Sequence, residues 1–124
     1  MSASDTVIAF IQAINDHDVE AIVGLCSDDH EFVDAHGGVV SASGLSSAWA
    51  DYFRFMPHYG VDVETVVSEG DQCGVFGWAW GGLNADDAEA KSWRRPCAWR
   101  AQVSGGRIKR WQVYVDTKAV FDLL

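Results

Sequence analysis

Two side chains in this sequence have the types and the spacing for proton transfer: Asp34 and His36, within Phe32-Val33-Asp34-Ala35-His36-Gly37-Gly38. In an extended stretch, residues two apart share a face, so the carboxylate and the imidazole would stand side by side with Phe32 beside them. An aspartate can orient an imidazole as an acid–base dyad. A carboxylate next to apolar rings has its pKa raised by desolvation, which suits a base that takes a proton alpha to a carbonyl. The same residues admit a plainer role, in which Asp34 accepts hydrogen bonds from the turn amides at Gly37-Gly38 and His36 is solvated at the strand end. Adding His30 gives the ligand types of a facial metal triad. On a single strand, however, the first and last of these would lie about 20 Å apart at about 3.3 Å per residue. No metal site and no cofactor is expected.

The elements that must position these residues follow from periodicity. Ser4 is a plausible cap for a helix on which Val7, Ile8, Phe10, Ile11 and Ile14 recur at helical spacing until Asn15-Asp16-His17. Asp18 can cap a second, shorter helix whose buried side carries Val19, Ile22, Val23 and Cys26, ending at Ser27-Asp28-Asp29. A strand is predicted over 30–36. A third helix follows over 43–56, with Leu45, Trp49, Tyr52, Phe53 and Met56 on one side until Pro57 stops it. From there the period is two. Strands are predicted over 61–69, 73–83, 90–104 and 107–116, joined as hairpins, and a short helix over 118–124. A run of helices followed by a run of hairpin strands implies an α+β domain spanning 1–124, an antiparallel sheet covered on one face by helices.

Composition narrows the function classes. The 124 residues are 48% apolar and 22% charged, an ordinary globular balance, but they include six Trp, six Phe and three Tyr. That is more aromatic volume than one small core needs, and it points to a pocket or a subunit interface. A net charge of -9 repels phosphate backbones and anionic headgroups, so neither nucleic acid nor membrane is an expected partner. Cys26, Cys73 and Cys97 are odd in number and sit in apolar runs, as buried thiols do; with no basic leader at the start, a cytoplasmic protein is expected. Arg94-Arg95 before Pro96 could hold an anionic group, though an exposed basic pair is the commoner outcome, and Asp116 fits a role in pinning the chain's end as well as one in catalysis. Asp16 and Asp18 are read as turn and cap, and Asp86-Asp87-Ala88-Glu89 as a solvated hairpin tip.

The element order, together with Asn15-Asp16-His17-Asp18, the stretch from Phe32 to Gly38, Trp49 with Tyr52-Phe53, Pro57-His58-Tyr59, and Gly106-Arg107-Ile108 with Trp111, resembles the SnoaL-like and ketosteroid isomerase-like branch of the nuclear transport factor 2-like superfamily. The resemblance implies a cystatin-like cone in which a curved sheet and three N-terminal helices enclose a pocket for a small hydrophobic molecule, with the back of the sheet forming a homodimer. It places Asp34 at the position of a general-base aspartate, with His36 assisting. It makes Phe10, Ile14, Trp49 and Phe53 candidate substrate-binding residues on the helices. Tyr59, Trp99 and Trp111 are the further candidates, while Trp78 and Trp80 could face the dimer. Ketosteroid isomerase builds its oxyanion hole from a tyrosine and a protonated aspartic acid. Here the corresponding positions fall on Phe10 and on or beside Ala98 and Trp99, so a steroid isomerase of the usual kind is not expected. The Asp-Arg-Asp arrangement of the epoxide hydrolase branch is incomplete too, with Val113 two residues after Trp111. An isomerase-, cyclase- or hydrolase-like catalyst without a cofactor and a non-catalytic ligand-binding or dimerising accessory protein both remain open.

Overall fold

A capping box begins α1 (Ala3–Asn15): the Ser2 hydroxyl accepts the Asp5 N–H at 3.1 Å and the Asp5 carboxylate accepts the Ser2 N–H at 3.2 Å. The cap is therefore Ser2 and not Ser4, because only Ser2 has an acidic residue three positions on. Asp18 caps α2 (Val19–Gly24) by accepting the Ala21 N–H at 3.1 Å. This helix is shorter than its apolar spacing suggests, since Cys26 already pairs with Ile108 as the first residue of β1 (Cys26–Val33). A short β2 (Val39–Ser41) and one 3-10 turn lead into α3 (Leu45–Phe55), followed by β3 (Gly60–Glu69), β4 (Gln72–Gly82), β5 (Ser92–Ser104), β6 (Arg107–Tyr114) and a one-turn α4 (Lys118–Phe121). This computed structural model describes residues 2–83, 85–87, 89 and 91–124. The expected strand start at Ala90, and Asn84 and Ala88 of the expected turn and acidic tip, lie outside the described residues.

The six strands form one sheet in the order β2-β1-β6-β5-β4-β3. Neighbours are antiparallel except β1 and β6, which run parallel because β1 is not hairpin-linked to β6 but arrives from the helical half of the chain. Register shifts between Val63 and Thr65 and between Gln102 and Val103 bend the long strands. Alternation puts Cys73, Val75 and Ala79 of β4 and Cys97, Trp99, Ala101 and Val103 of β5 on the buried side, against Val7, Phe10, Ile11 and Ile14 of α1. The other side carries Phe76, Trp78 and Arg100.

The parallel edge is irregular, and His30 repairs it. Between the pairs Cys26–Ile108 and Glu31–Arg110 the register slips, so the ladder cannot use the Ile108 carbonyl in the usual way. The His30 Nδ1 donates to that carbonyl at 2.6 Å, and the ring is 1% exposed. Its Nε2 is buried with no hydrogen-bond partner among the described residues. A bare ring nitrogen in that position is tolerable only while the imidazole is neutral, and burial accordingly holds its pKa below the usual value. The unfolded chain then binds a proton that the folded chain refuses, so stability must fall as pH drops below about 6.5. Urea unfolding at pH 7.5 and 5.5 should show this loss, up to about 1.4 kcal/mol per pH unit from this group, and His30→Gln should flatten that part of the dependence.

Candidate functional site

A cavity of about 390 Å³ opens between α3, the concave side of β4, β5 and β6, and the chain's C-terminal segment. A volume of this size suits a small organic ligand. Trp99 and Trp111, stacked with centroids 6.2 Å apart and planes at 23°, form one wall, and each is at most 2% exposed. Trp49 faces them from α3, while Tyr59 enters from the loop after that helix. These four of the expected substrate-binding residues line the space. Phe10, Ile14 and Phe53 do not. Phe10 packs behind the wall at 4.8 Å from Trp111, Ile14 is sealed in the core beside it, and Phe53 lies under the His17 ring at 4.0 Å. Periodicity marks a residue as inward-facing without saying whether it meets space or another side chain.

Asp34 and His36 both border the cavity, but not as a dyad on a strand. Strand β1 ends at Val33, and Asp34 opens a turn in which its Oδ1 accepts the His36 N–H at 2.8 Å and the Gly38 N–H at 2.9 Å. Gly37, at φ +86°, and Gly38, where a Cβ would press on the Asp34 carboxylate, let the turn close this tightly. The His36 imidazole points away from that carboxylate: its Nε2 lies 3.0 Å from the Thr117 Oγ1 and its ring meets Phe121 edge-on at 5.6 Å. The shared-face pairing is therefore corrected, because a turn does not alternate as a strand does. The plainer expectation for Asp34, acceptance from the turn amides, is what its Oδ1 does. Both hydrogen bonds fall on Oδ1, so Oδ2 has no partner among the described residues. Asp34, which is solvent-exposed, carries the one side-chain carboxylate among the described lining residues.

Three features of the site were not legible in the sequence. Tyr52, Trp93 and Cys97 line the cavity, although Tyr52 counted only as part of an aromatic stripe. The shared parity of Trp93, Cys97 and Trp99 on β5 was the signal that could have found two of them. The mouth is lined by Val115, which shares the parity of Trp111, and by Thr117, Val120, Phe121 and Leu124, which no periodicity pointed to. The cover is tied down by His36 with Thr117 and by Asp116, which accepts the Lys118 N–H at 3.0 Å and lies 4.0 Å from Arg95. Asp116 thus pins the chain's end. Asn15 and His17 act on the opposite side. The Asn15 side chain accepts the Val61 N–H at 2.7 Å and donates to the Val61 carbonyl at 3.0 Å, and the His17 Nε2 bonds the Tyr59 carbonyl at 2.7 Å. Gly60 completes the clamp, since any Cβ there would overlap the Trp80 ring. Among the described residues no three His, Cys, Asp or Glu side chains are grouped to hold a metal ion, and no helix is long and apolar enough to cross a membrane. All three cysteines are free and buried.

The family model of the SnoaL-like domain matches residues 7–111, which takes in most of α1, the Asp34 turn, α3 and the Trp99–Trp111 wall. The chain belongs to this family. Solved structures agree on the fold. A ketosteroid isomerase-like protein from Catenulispora acidiphila, in complex with trimethylamine, superposes with a TM-score of 0.83 at 20% identity over 95% of this chain and 90% of that one. IdmH, a candidate polyketide cyclase from Streptomyces antibioticus, gives 0.83 at 18% identity over 99% and 98%. TerC co-crystallised with polyporic acid gives 0.82 at 18% identity over 98% and 96%. No curated protein matches the chain significantly. At such identities these structures share the nuclear transport factor 2-like fold with this chain, as the motifs led us to expect, and establish no activity.

The clamp on the Tyr59 loop gives a direct test. Asn15→Ala removes the two hydrogen bonds that this side chain makes to the Val61 backbone, and urea unfolding should show a loss of about 1–3 kcal/mol.

Proposed function

We propose that the protein binds a small, ring-bearing hydrophobic molecule in this cavity and, without a cofactor, moves a proton on it with Asp34 as the base. One observation carries the reading: an apolar, indole-walled space of about 390 Å³ with one side-chain carboxylate among its described lining residues. That both turn hydrogen bonds are held by the Asp34 Oδ1 supports Oδ2 as the oxygen that takes the proton. The His36 role is then orientation of the turn and the C-terminal cover rather than direct proton relay. That IdmH is a candidate polyketide cyclase, and that TerC was crystallised with polyporic acid, supports a ligand-handling role. A second reading, non-catalytic ligand binding, is favoured by the same two hydrogen bonds, which use the carboxylate to hold a turn.

The two readings separate on 2-tetralone, a neutral bicyclic ketone with acidic alpha protons. If Asp34 is a base, the protein speeds exchange of those protons in deuterium oxide, followed by NMR, and Asp34→Asn slows it by about 100-fold or more with ketone affinity kept. Binding without exchange in the wild type establishes the second reading; no binding at all removes both.

The outer side of the sheet supports a homodimer. Val67, Phe76 and Tyr114 are 52%, 48% and 49% exposed there, an apolar face edged by Arg100, whose Nε donates to Gln72 Oε1 at 3.2 Å. Trp78 shares this side but is engaged within the chain, donating to Glu64 at 2.8 Å beneath Arg94. Sedimentation at micromolar concentration should report twice the 13.6 kDa chain mass, and Phe76→Glu should return it to the monomer value.

A further inference from the structure

The two adjacent arginines of β5 part company. Arg94 stays on the outer side, 4.9 Å over the Trp78 ring and 3.6 Å from Asp62. Arg95 follows the parity of Trp93, Cys97 and Trp99 onto the concave side, opposite Ala79 of β4. Trp93, Cys97 and Ala79 all line the cavity, so Arg95 is placed at its rim. The acid beside it is the chain's own Asp116, whose Oδ2 lies 4.0 Å from Nη2, too far for a hydrogen bond. The Arg95 Nε is buried and has no hydrogen-bond partner among the described residues. Folded proteins seldom leave a buried donor unmatched without a use for it.

Asp116 belongs to the segment that follows β6. In the sheet order β6 lies between β1 and β5, so this segment leaves the sheet with the turn after β1 on one side and β5 on the other. On the first side it is engaged, Thr117 to His36 at 3.0 Å; on the second it stops short of Arg95. Its helix α4 buries none of its side chains, whereas α1, α2 and α3 each bury at least one. Phe121 and Leu124 line the cavity and are still 56% and 63% exposed. The helix is braced by Lys118 with Asp122 at 2.8 Å, and its Lys118 N–H is accepted by Asp116 Oδ1. One carboxylate thus holds the helix with Oδ1 and turns Oδ2 toward Arg95.

We propose that residues 115–124 are a lid that closes over a ligand, and that Arg95 is the latch that captures Asp116 when the lid shuts. The assignment rests on the reading of the cavity as a ligand site, and adds how that site is closed. A ring in the cavity gives Val120, Phe121 and Leu124 an apolar surface to pack on, which draws the segment inward. A movement of about 1 Å brings Asp116 Oδ2 to the charge-assisted distance of about 2.8 Å, and a carboxylate facing the edge that carries Nε–H and Nη2–H takes both. Because these bonds exist only in the closed state, they favour that state and slow ligand escape. Arg95 and Asp116 are positioning residues, and neither needs to touch the ligand.

Hydrogen exchange of the full chain, followed by mass spectrometry with and without 2-tetralone, reads the lid; stopped-flow tryptophan fluorescence reads ketone binding and release. The proposal expects the ketone to slow exchange in the peptide over 115–124. Asp116→Asn and Arg95→Gln should each abolish that protection and speed release about tenfold, with exchange in β5 of the free protein unchanged. Asp116→Asn keeps an acceptor for the Lys118 N–H, so α4 stays formed. The double variant should release the ketone no faster than either single one, since the two residues act as one pair. Ketone that binds without slowing exchange over 115–124 overturns the lid while leaving the cavity a ligand site. Protection or release that the variants leave unchanged, or effects that simply add in the double variant, overturn the latch and the proposal with it. A ketone that does not bind at all overturns the reading of the cavity, and the lid falls with it.

Discussion

The rest of the site depends on the stack of Trp99 on Trp111 and on the packing of Phe10 behind it. Each indole turns one side to the core and the other to the cavity, so the pair is a wall that the hydrophobic core holds upright. Phe10 also meets Trp49 edge-on at 6.4 Å, and Trp49 meets Phe32 at 5.6 Å, which fixes α3 relative to the strands. With α3 placed, Tyr52 and Met56 project into the space from its far turn, and Met56 accepts the Trp93 Nε1–H at 3.5 Å. Large stiff rings meeting at angles leave gaps that no methyl group fills, and the cavity is the sum of those gaps on the side α1 does not cover.

Charge is kept outside. Arg94 with Asp62, Lys109 with Asp29 and Arg110 with Glu31 are solvent-exposed pairs of small energetic value, and they sit away from the lining. Inside, the ionisable groups are Asp34 and His36 at the border and two phenols and a thiol within. The chain's net charge of -9 adds a field that discourages anions from approaching.

Much of the fold could be read from periodicity, and the places where it could not have physical reasons. Alternation along β5 identified Trp99 as inward-facing, and the three-and-four spacing in α3 identified Trp49. The start of β1 was hidden because Cys26 continues the helical spacing of Ile22 and Val23, while the ladder that claims it comes from residue 108, far along the chain. The parallel pairing of β1 with β6 has no turn signal, and the helix-like stretch over 43–44 begins as a 3-10 turn. The expected pairing of Asp34 with His36 was misassigned, since an aspartate followed by Ala-His-Gly-Gly can satisfy itself on backbone amides. Depth was the other gap. Phe10, Ile14 and Phe53 carry the same inward pattern as the lining residues, and only packing against Trp111 and His17 decides that they are core. The covering of the mouth by Val120, Phe121 and Leu124 depends on the chain's end folding back, which a local pattern does not encode.

The most direct test of the account is a crystal structure of the protein grown with 2-tetralone. The account predicts the bicyclic ring lying against Trp99 and Trp111 beneath the C-terminal cover, within reach of Asp34 at the border. A structure in which the indoles have turned to fill the space, or in which the ketone lies outside it, would contradict the claim that this fold is held open for a ligand.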